Sequence, residues 1–165
     1  MLGLSLKVGK PAAVRGAATA VISRSIDSAY GFVVRDFFLN YQRWCPQVIE
    51  LDPSGKAPVY PGVKARQVTL ERGIRSESTF EIVDVEEPRR LTLEGRSEPF
   101  RSSYQFDATP TEDTRVTFEF EMCDLELSMR PFAKLIRATL QDGAEQTVEN
   151  LKRILEGESQ AADAT

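Results

Sequence analysis

The hydrophobic period of this chain changes once, from two to 3.6, and that change constrains the fold more than any other feature. Residues 115–122 alternate without a break: Val116, Phe118, Phe120 and Met122 on one parity, Thr117, Glu119 and Glu121 on the other. Such alternation marks a strand with one buried face. Beyond it, Phe132, Ile136, Leu140, Ala144, Val148, Leu151 and Leu155 recur at helical spacing. They predict a single long amphipathic helix over 130–156, on the order of 40 Å in length. Ser128 reads as its N-cap and Gly157 as its terminator.

Upstream of the change the chain is punctuated into short segments. Residues 18–26 read as a strand with Ala20, Ile22 and Ile26 on the apolar parity, which Arg24 shares. Asp27 and Ser28 are N-cap types. They precede a short helix over 29–38, which carries Phe32, Val33, Phe37 and Phe38, and a second helical turn over 39–44 that Pro46 stops. Strands follow at 48–52, 63–72, 75–85, 90–96 and 100–107, with Gly73 marking a hairpin and Pro88 a break. The fold class is therefore α+β: a curved seven-stranded antiparallel sheet around a long C-terminal helix, with two short helices after the first strand. A sheet with one wet face needs a cover for the other, and only the last helix is long enough to supply it. Side chains of a bent sheet cannot fill its whole concavity, so an internal cavity is expected between sheet and helix.

Domain organisation is expected to be simple: a leader over 1–17 with Lys7, Lys10 and Arg15 and no acid, one domain over 18–156, and a small polar tail over 157–165. The leader lacks a long apolar core and does not read as a signal peptide. Composition then narrows function. The chain has no histidine, which excludes Ser-His-Asp and Cys-His catalysis and nearly all catalytic zinc and non-haem iron sites. No metal and no cofactor is expected. Two cysteines, Cys45 and Cys123, match no redox or metal spacing and read as small buried apolar residues of a reducing, cytoplasmic setting. The net charge is −4 with signs interspersed, so nucleic acid is not an expected partner. No apolar run approaches the ~20 residues of a membrane span, so no stable membrane insertion is expected. A monomer is expected, because every apolar face has a partner.

Each candidate residue has two readings. Trp44, the only tryptophan, is either a core anchor or a wall on which a ligand stacks. Phe106, Tyr104 and Ser102 share one strand face. Turned inward, the two hydroxyls need hydrogen bonds from each other, from water or from a ligand. Arg24 either packs its stem at the open end of the sheet with its head in water, or enters the cavity to hold an anionic or carbonyl group. Phe80, Ile82, Phe118 and Phe120 on the strands, and Phe132, Ile136 and Leu140 on the helix, are core or cavity lining. Gly143 is a tolerated mid-helix glycine or a place where the helix is thinned for a ligand or strand. Glu77, Glu81, Glu119 and Glu121 lie on wet faces and read as solvated.

The phrases VISRSID, NYQRWCPQV, EEPRRLTLEGRSEPF and TRVTFEFEM, with a closing helix that ends ENLKRILEG, resemble the START/Bet v 1-like (SRPBCC) superfamily. The likeness is to its bacterial polyketide cyclase/dehydrase and lipid-transport branch and covers about 18–156. The resemblance implies a helix-grip fold with an internal cavity that opens between the last helix and the strand loops. The position at which aromatase/cyclase members carry a pocket arginine aligns near Val83, and the loop PSGKAPVYPG stands where plant members are glycine-rich. The implied function is binding of a hydrophobic small molecule (polyketide, lipid or quinone-like) in natural-product biosynthesis or transport. Alternatives are a polyketide aromatase, cyclase or dehydrase that works mainly by positioning, a self-resistance protein that sequesters a toxic product such as an enediyne, and a quinone or membrane-lipid chaperone. For an enzyme, Tyr104, Ser102 and Arg24 are the polar candidates.

Overall fold

The computed structural model describes residues 13–163. Seven strands form one antiparallel sheet: β1 (Val14–Ile22), β2 (Val48–Pro53), β3 (Lys64–Glu71), β4 (Ile74–Glu86), β5 (Arg90–Gly95), β6 (Phe100–Ala108) and β7 (Thr114–Met122). Their order is β1-β7-β6-β5-β4-β3-β2, so the last strand pairs with the first, and β1 and β2 are the two edges of the sheet. Helix α1 (Ile26–Tyr30), a π-helical segment (Gly31–Arg35) and α2 (Phe37–Trp44) separate β1 from β2. A 3-10 helix (Leu127–Phe132) leads into α3 (Ala133–Asp163). This is the expected helix-grip architecture.

Several boundaries differ from the sequence reading. β1 begins at Val14, so residues 14–17 of the expected leader belong to the sheet, while Lys7 and Lys10 lie outside the described residues. The helix after β1 starts earlier, because the Ser25 hydroxyl accepts from the Ser28 N–H and caps α1; Asp27 and Ser28 sit inside the first turn, and Ile26 is helical. Ser128 does not cap the long helix. It lies within the 3-10 helix, and Pro131, which has no N–H to donate, sits just before α3 begins. Nor does Gly157 end α3, which runs on to Asp163. One glycine costs only about 1 kcal/mol relative to alanine inside a helix, and nothing about it forces the helix to stop.

Register puts the apolar parities together on the concave face. Tyr104 opposes Phe118, Phe106 opposes Val116 and Ser102 opposes Phe120. Leu93 opposes Ser102 on one side and Ile82 on the other, and Ala65 opposes Phe80. Between buried Val14 and Ile22, β1 contributes only small residues to this face: Gly16, Ala18 and Ala20. Small side chains let α3 come down onto the strand itself. A Cβ on Gly16 would lie 2.4 Å from the Leu140 carbonyl carbon and oxygen, so only glycine fits there.

The same closeness lets α3 seal the outer edge of β1. The Gln141 amide donates to Ala17 O at 2.8 Å and accepts from Ala17 N–H at 3.1 Å, as a neighbouring strand would. Lys152 Nζ donates to Val21 O, and Glu156 accepts from Ser23 N–H. Edge N–H and C=O groups that would otherwise invite another strand are thus occupied.

Candidate functional site

Because α3 leans on β1, the helix stands away from the opposite half of the sheet. A cleft of about 290 Å³ opens there, between α3, the end of α2 and the β3–β4 turn. Trp44 and Gln47 form one wall, and Glu71 and Arg72 a second. α3 supplies the third with Thr139, Asp142, Gly143, Gln146, Thr147 and Asn150. Gly143 faces open space, with no atom within 4 Å of a built Cβ. The glycine therefore widens the cleft; no strand approaches it. The β3–β4 turn is a tight one. Arg72 and Gly73 both have positive φ, 51° and 79°, the geometry of a two-residue hairpin, in which arginine is less at home than asparagine or glycine.

Trp44 is both anchor and wall. Its ring is buried and its Nε1–H donates to Tyr104 Oη at 3.2 Å, while its backbone carbonyl accepts from Asn150 Nδ2 at 3.0 Å. Phe37 stands edge-on to it at 5.9 Å, as do Tyr41 at 5.7 Å and Tyr104 at 6.1 Å. Tyr104 in turn packs on Phe118 at 4.8 Å. Beneath the polar mouth lies a continuous aromatic floor that contains a few hydroxyl groups. Burial holds the Tyr104 hydroxyl well above the ordinary tyrosine value, with Cys45 adding to the shift and hydrogen bonds to Trp44 and Ser102 opposing it. Burial does the same to Tyr41 and pushes the Cys45 thiol up to about 12. At neutral pH this interior therefore contains neutral donors and acceptors, and Cys45 is a thiol rather than a nucleophilic thiolate.

The other candidates divide by depth. Phe80, Ile82 and Phe106 have no exposed surface and belong to the packed core. Ser102 and Phe118 are buried with a trace of exposure. Phe120, stacked on Phe100 at 5.4 Å, and Ile136 and Leu140 are half-buried. Phe132 is 54% exposed on the 3-10 helix. Arg24 stands apart: its Nε donates to Leu155 O at 2.9 Å, beyond the stretch of α3 that lines the cleft. It ties the end of β1 to α3 and does not enter the cavity. The polar lining of the mouth went unrecognised in the sequence, although Thr147 and Asn150 interrupt an otherwise apolar helix face.

The outer sheet face carries a second, shallower groove of about 520 Å³. Val83, the residue aligned with the family's pocket arginine, lies at an irregularity in the β4–β5 register and lines this outer groove. Glu119 and Glu121 line it too, and Glu77 and Glu81 are on the outer face, ion-paired to Arg66 and Arg96. Their hydrogen bonds to these arginines hold both carboxyls below the usual range. Both cysteines are free. Among the described residues, no cluster of acidic or cysteine side chains could hold a metal, and no helix is long and apolar enough to cross a membrane.

Comparison with known proteins follows the same lines. No curated protein sequence matches the chain significantly. Among solved structures it is similar to TTHA0849 from Thermus thermophilus, with 15% identity and a TM-score of 0.71 over 88% of this chain and 99% of that one. A point mutant of Thalictrum norcoclaurine synthase, in complex with a transition-state analogue, superposes with a TM-score of 0.71 at 8% identity, covering 92% of this chain and 99% of the enzyme. The di-domain ARO/CYC protein StfQ of the steffimycin biosynthetic pathway gives 0.70 at 13% identity, over 90% of this chain and 52% of StfQ. These likenesses show the fold. The family described as "Polyketide cyclase / dehydrase and lipid transport" matches residues 13–156, so the chain belongs to that family, within the SRPBCC/Bet v 1-like superfamily.

Proposed function

We propose that this protein binds an amphiphilic small molecule, of polyketide, lipid or quinone-like chemistry, in the cleft between α3 and the sheet. One observation carries the reading: a polar mouth thinned at Gly143 stands over an aromatic floor built around Trp44. Such a site suits a ligand with an apolar body and an oxygenated end, because apolar walls give affinity and a few polar groups fix orientation. Trp44, Tyr104, Ser102, Phe118, Phe120, Ile136 and Leu140 are the proposed contacts, with Gln47, Asp142 and Gln146 at the polar end. The test is direct, because Trp44 is the only tryptophan. Its emission is followed while an aromatic polyketide, a fatty acid and a short-tail quinone are titrated. A saturable change with one class, weakened by Gly143→Leu, supports the reading. An unchanged emission with all three, in folded protein, removes it.

A tailoring enzyme of the cyclase or aromatase kind is the second reading. The observation in its favour is the Tyr104 hydroxyl, kept neutral by burial and already accepting from Trp44. A neutral phenol can donate to a carbonyl oxygen as negative charge develops on it. Turnover of a poly-β-ketone that Tyr104→Phe abolishes, with binding retained, would favour it over simple carriage.

A further inference from the structure

Several large apolar side chains are exposed on the elements that lead to the cleft. On the 3-10 helix and the start of α3, Leu127 (76%), Met129, Phe132 and Leu135 (66%) are exposed. Across the cleft, at the β3–β4 tip, Leu70 and Ile74 (68%) are exposed as well. The tip lies beside α3 about one turn beyond Leu135, because Glu71 and Arg72 share the cleft lining with Thr139 and Asp142.

The helical part of this rim carries a run of cations, bounded by Glu126 and Asp142 and faced by Glu71 at the tip. Residues 127–141 contain Arg130, Lys134 and Arg137 and no acid, in a chain whose net charge is −4. All three cations are exposed, and none forms an ion pair among the described residues. Exposed apolar side chains among unpaired cations, along a helix lying at a surface, are the features of an interfacial anchor for anionic lipid. A second copy of the chain fits less well, because a two-fold contact through this patch would bring each cationic segment against its own copy.

We propose that the 127–137 segment and the β3–β4 tip dock the protein onto an anionic lipid surface, with the cleft mouth facing the lipid. Docking leaves α3 beyond Gly143 and the sheet in water, and it needs no membrane-spanning element. A ligand of low aqueous solubility would then move between bilayer and cleft without crossing bulk water.

The test uses the full chain and co-sedimentation with phosphatidylcholine vesicles, with and without phosphatidylglycerol. The wild type is expected to partition onto phosphatidylglycerol vesicles. Partition should fall by about tenfold without the anionic lipid, or when salt is raised from about 0.1 to 0.5 M. Leu127→Glu/Leu135→Glu and Lys134→Glu/Arg137→Glu should each lower it by about tenfold or more. Leu39→Glu, at an exposed leucine on α2, should leave it unchanged. Folded wild type that stays in the supernatant overturns the proposal. So does undiminished partition of Leu127→Glu/Leu135→Glu, or a wild-type dimer that this variant disperses, which would assign the patch to a second copy. The Trp44 titration is done without vesicles, so failure of ligand binding and failure of docking are read separately.

Discussion

Gly16 and Gly143 lie on opposite sides of the cover helix's packing: one where α3 touches β1, the other where it stands clear of the sheet. Gly16→Ala would place a methyl 2.4 Å from the Leu140 backbone, and neither β1 nor α3 can yield without losing the edge contacts. A loss of about 1–3 kcal/mol is expected, read as a lower urea midpoint. Gly143→Ala meets nothing within 4 Å and should raise stability by up to about 1 kcal/mol, because alanine is the better helix former. If both variants lower the midpoint equally, the account of the helix as tight on β1 and open at the cleft is wrong. At Tyr104, replacement by phenylalanine leaves the buried Trp44 Nε1–H without its partner. The expected cost is about 1–3 kcal/mol. A midpoint unchanged from wild type would show that water reaches this indole.

Among the elements, α3 has two roles, and only one was legible in the sequence. Of its seven-residue apolar repeat, Ala144, Val148, Leu151 and Leu155 are buried core, whereas Ile136 and Leu140 are half-buried and Phe132 is exposed. The sealing of the β1 edge was invisible, because Gln141, Lys152 and Glu156 look like ordinary polar positions on a wet helix face. Their role depends on which strand lies beside them, a pairing that local pattern does not encode. Strand alternation was similarly informative for β4 to β7 and partly so at β1, where the parity of Ala20 and Ile22 was legible but small Gly16 and Ala18 hid the strand's start at Val14. The cleft was legible as a consequence of curvature, and in its lining only at Trp44 and Gly143. Its mouth is polar, whereas apolar strand faces point deeper, to Phe80, Ile82 and Phe106, which are packed core. Gln141→Leu tests the edge role. It removes both bonds to Ala17 while keeping a good helix former. Faster amide hydrogen exchange at Ala17 and its β1 neighbours is expected, and more self-association on storage. Exchange at β1 unchanged from wild type would mean that the strand is held by β7 alone.

For the whole molecule, the distribution of ionisable groups predicts two pH limbs with different salt behaviour. On the acid side, hydrogen bonds from Arg66, Arg96 and Lys152 hold Glu77, Glu81 and Glu156 below the ordinary carboxylate range, and Arg66 and Arg75 do so for Glu50. A depressed carboxyl adds stability above its unfolded value, and that stability is lost as pH falls through the folded one. These pairs are near the surface, so salt should blunt this limb. The alkaline side is the reverse. Burial raises Cys45 from 9.0 to about 12 and Tyr30 from 10.0 to about 12, and it lifts Tyr41 and Tyr104 well above 10.0. In the unfolded chain these groups lose their protons at ordinary values, so between about pH 9 and 12 the unfolded state binds fewer protons than the folded one. Stability from these groups is therefore whole below about pH 9 and falls as pH rises through that window. The cause is desolvation rather than pairing, so salt should change it little. Urea midpoints measured under reducing conditions from about pH 7 to 11, at two salt concentrations, should start to fall between about pH 9 and 10 at both. Cys123 is raised in the same direction, so in Cys45→Ala/Cys123→Ala the onset should move towards about pH 10, where the tyrosines take over. Midpoints flat to about pH 11 would mean that solvent reaches the aromatic floor, and the interior beneath the cleft would then be wet before any ligand enters it.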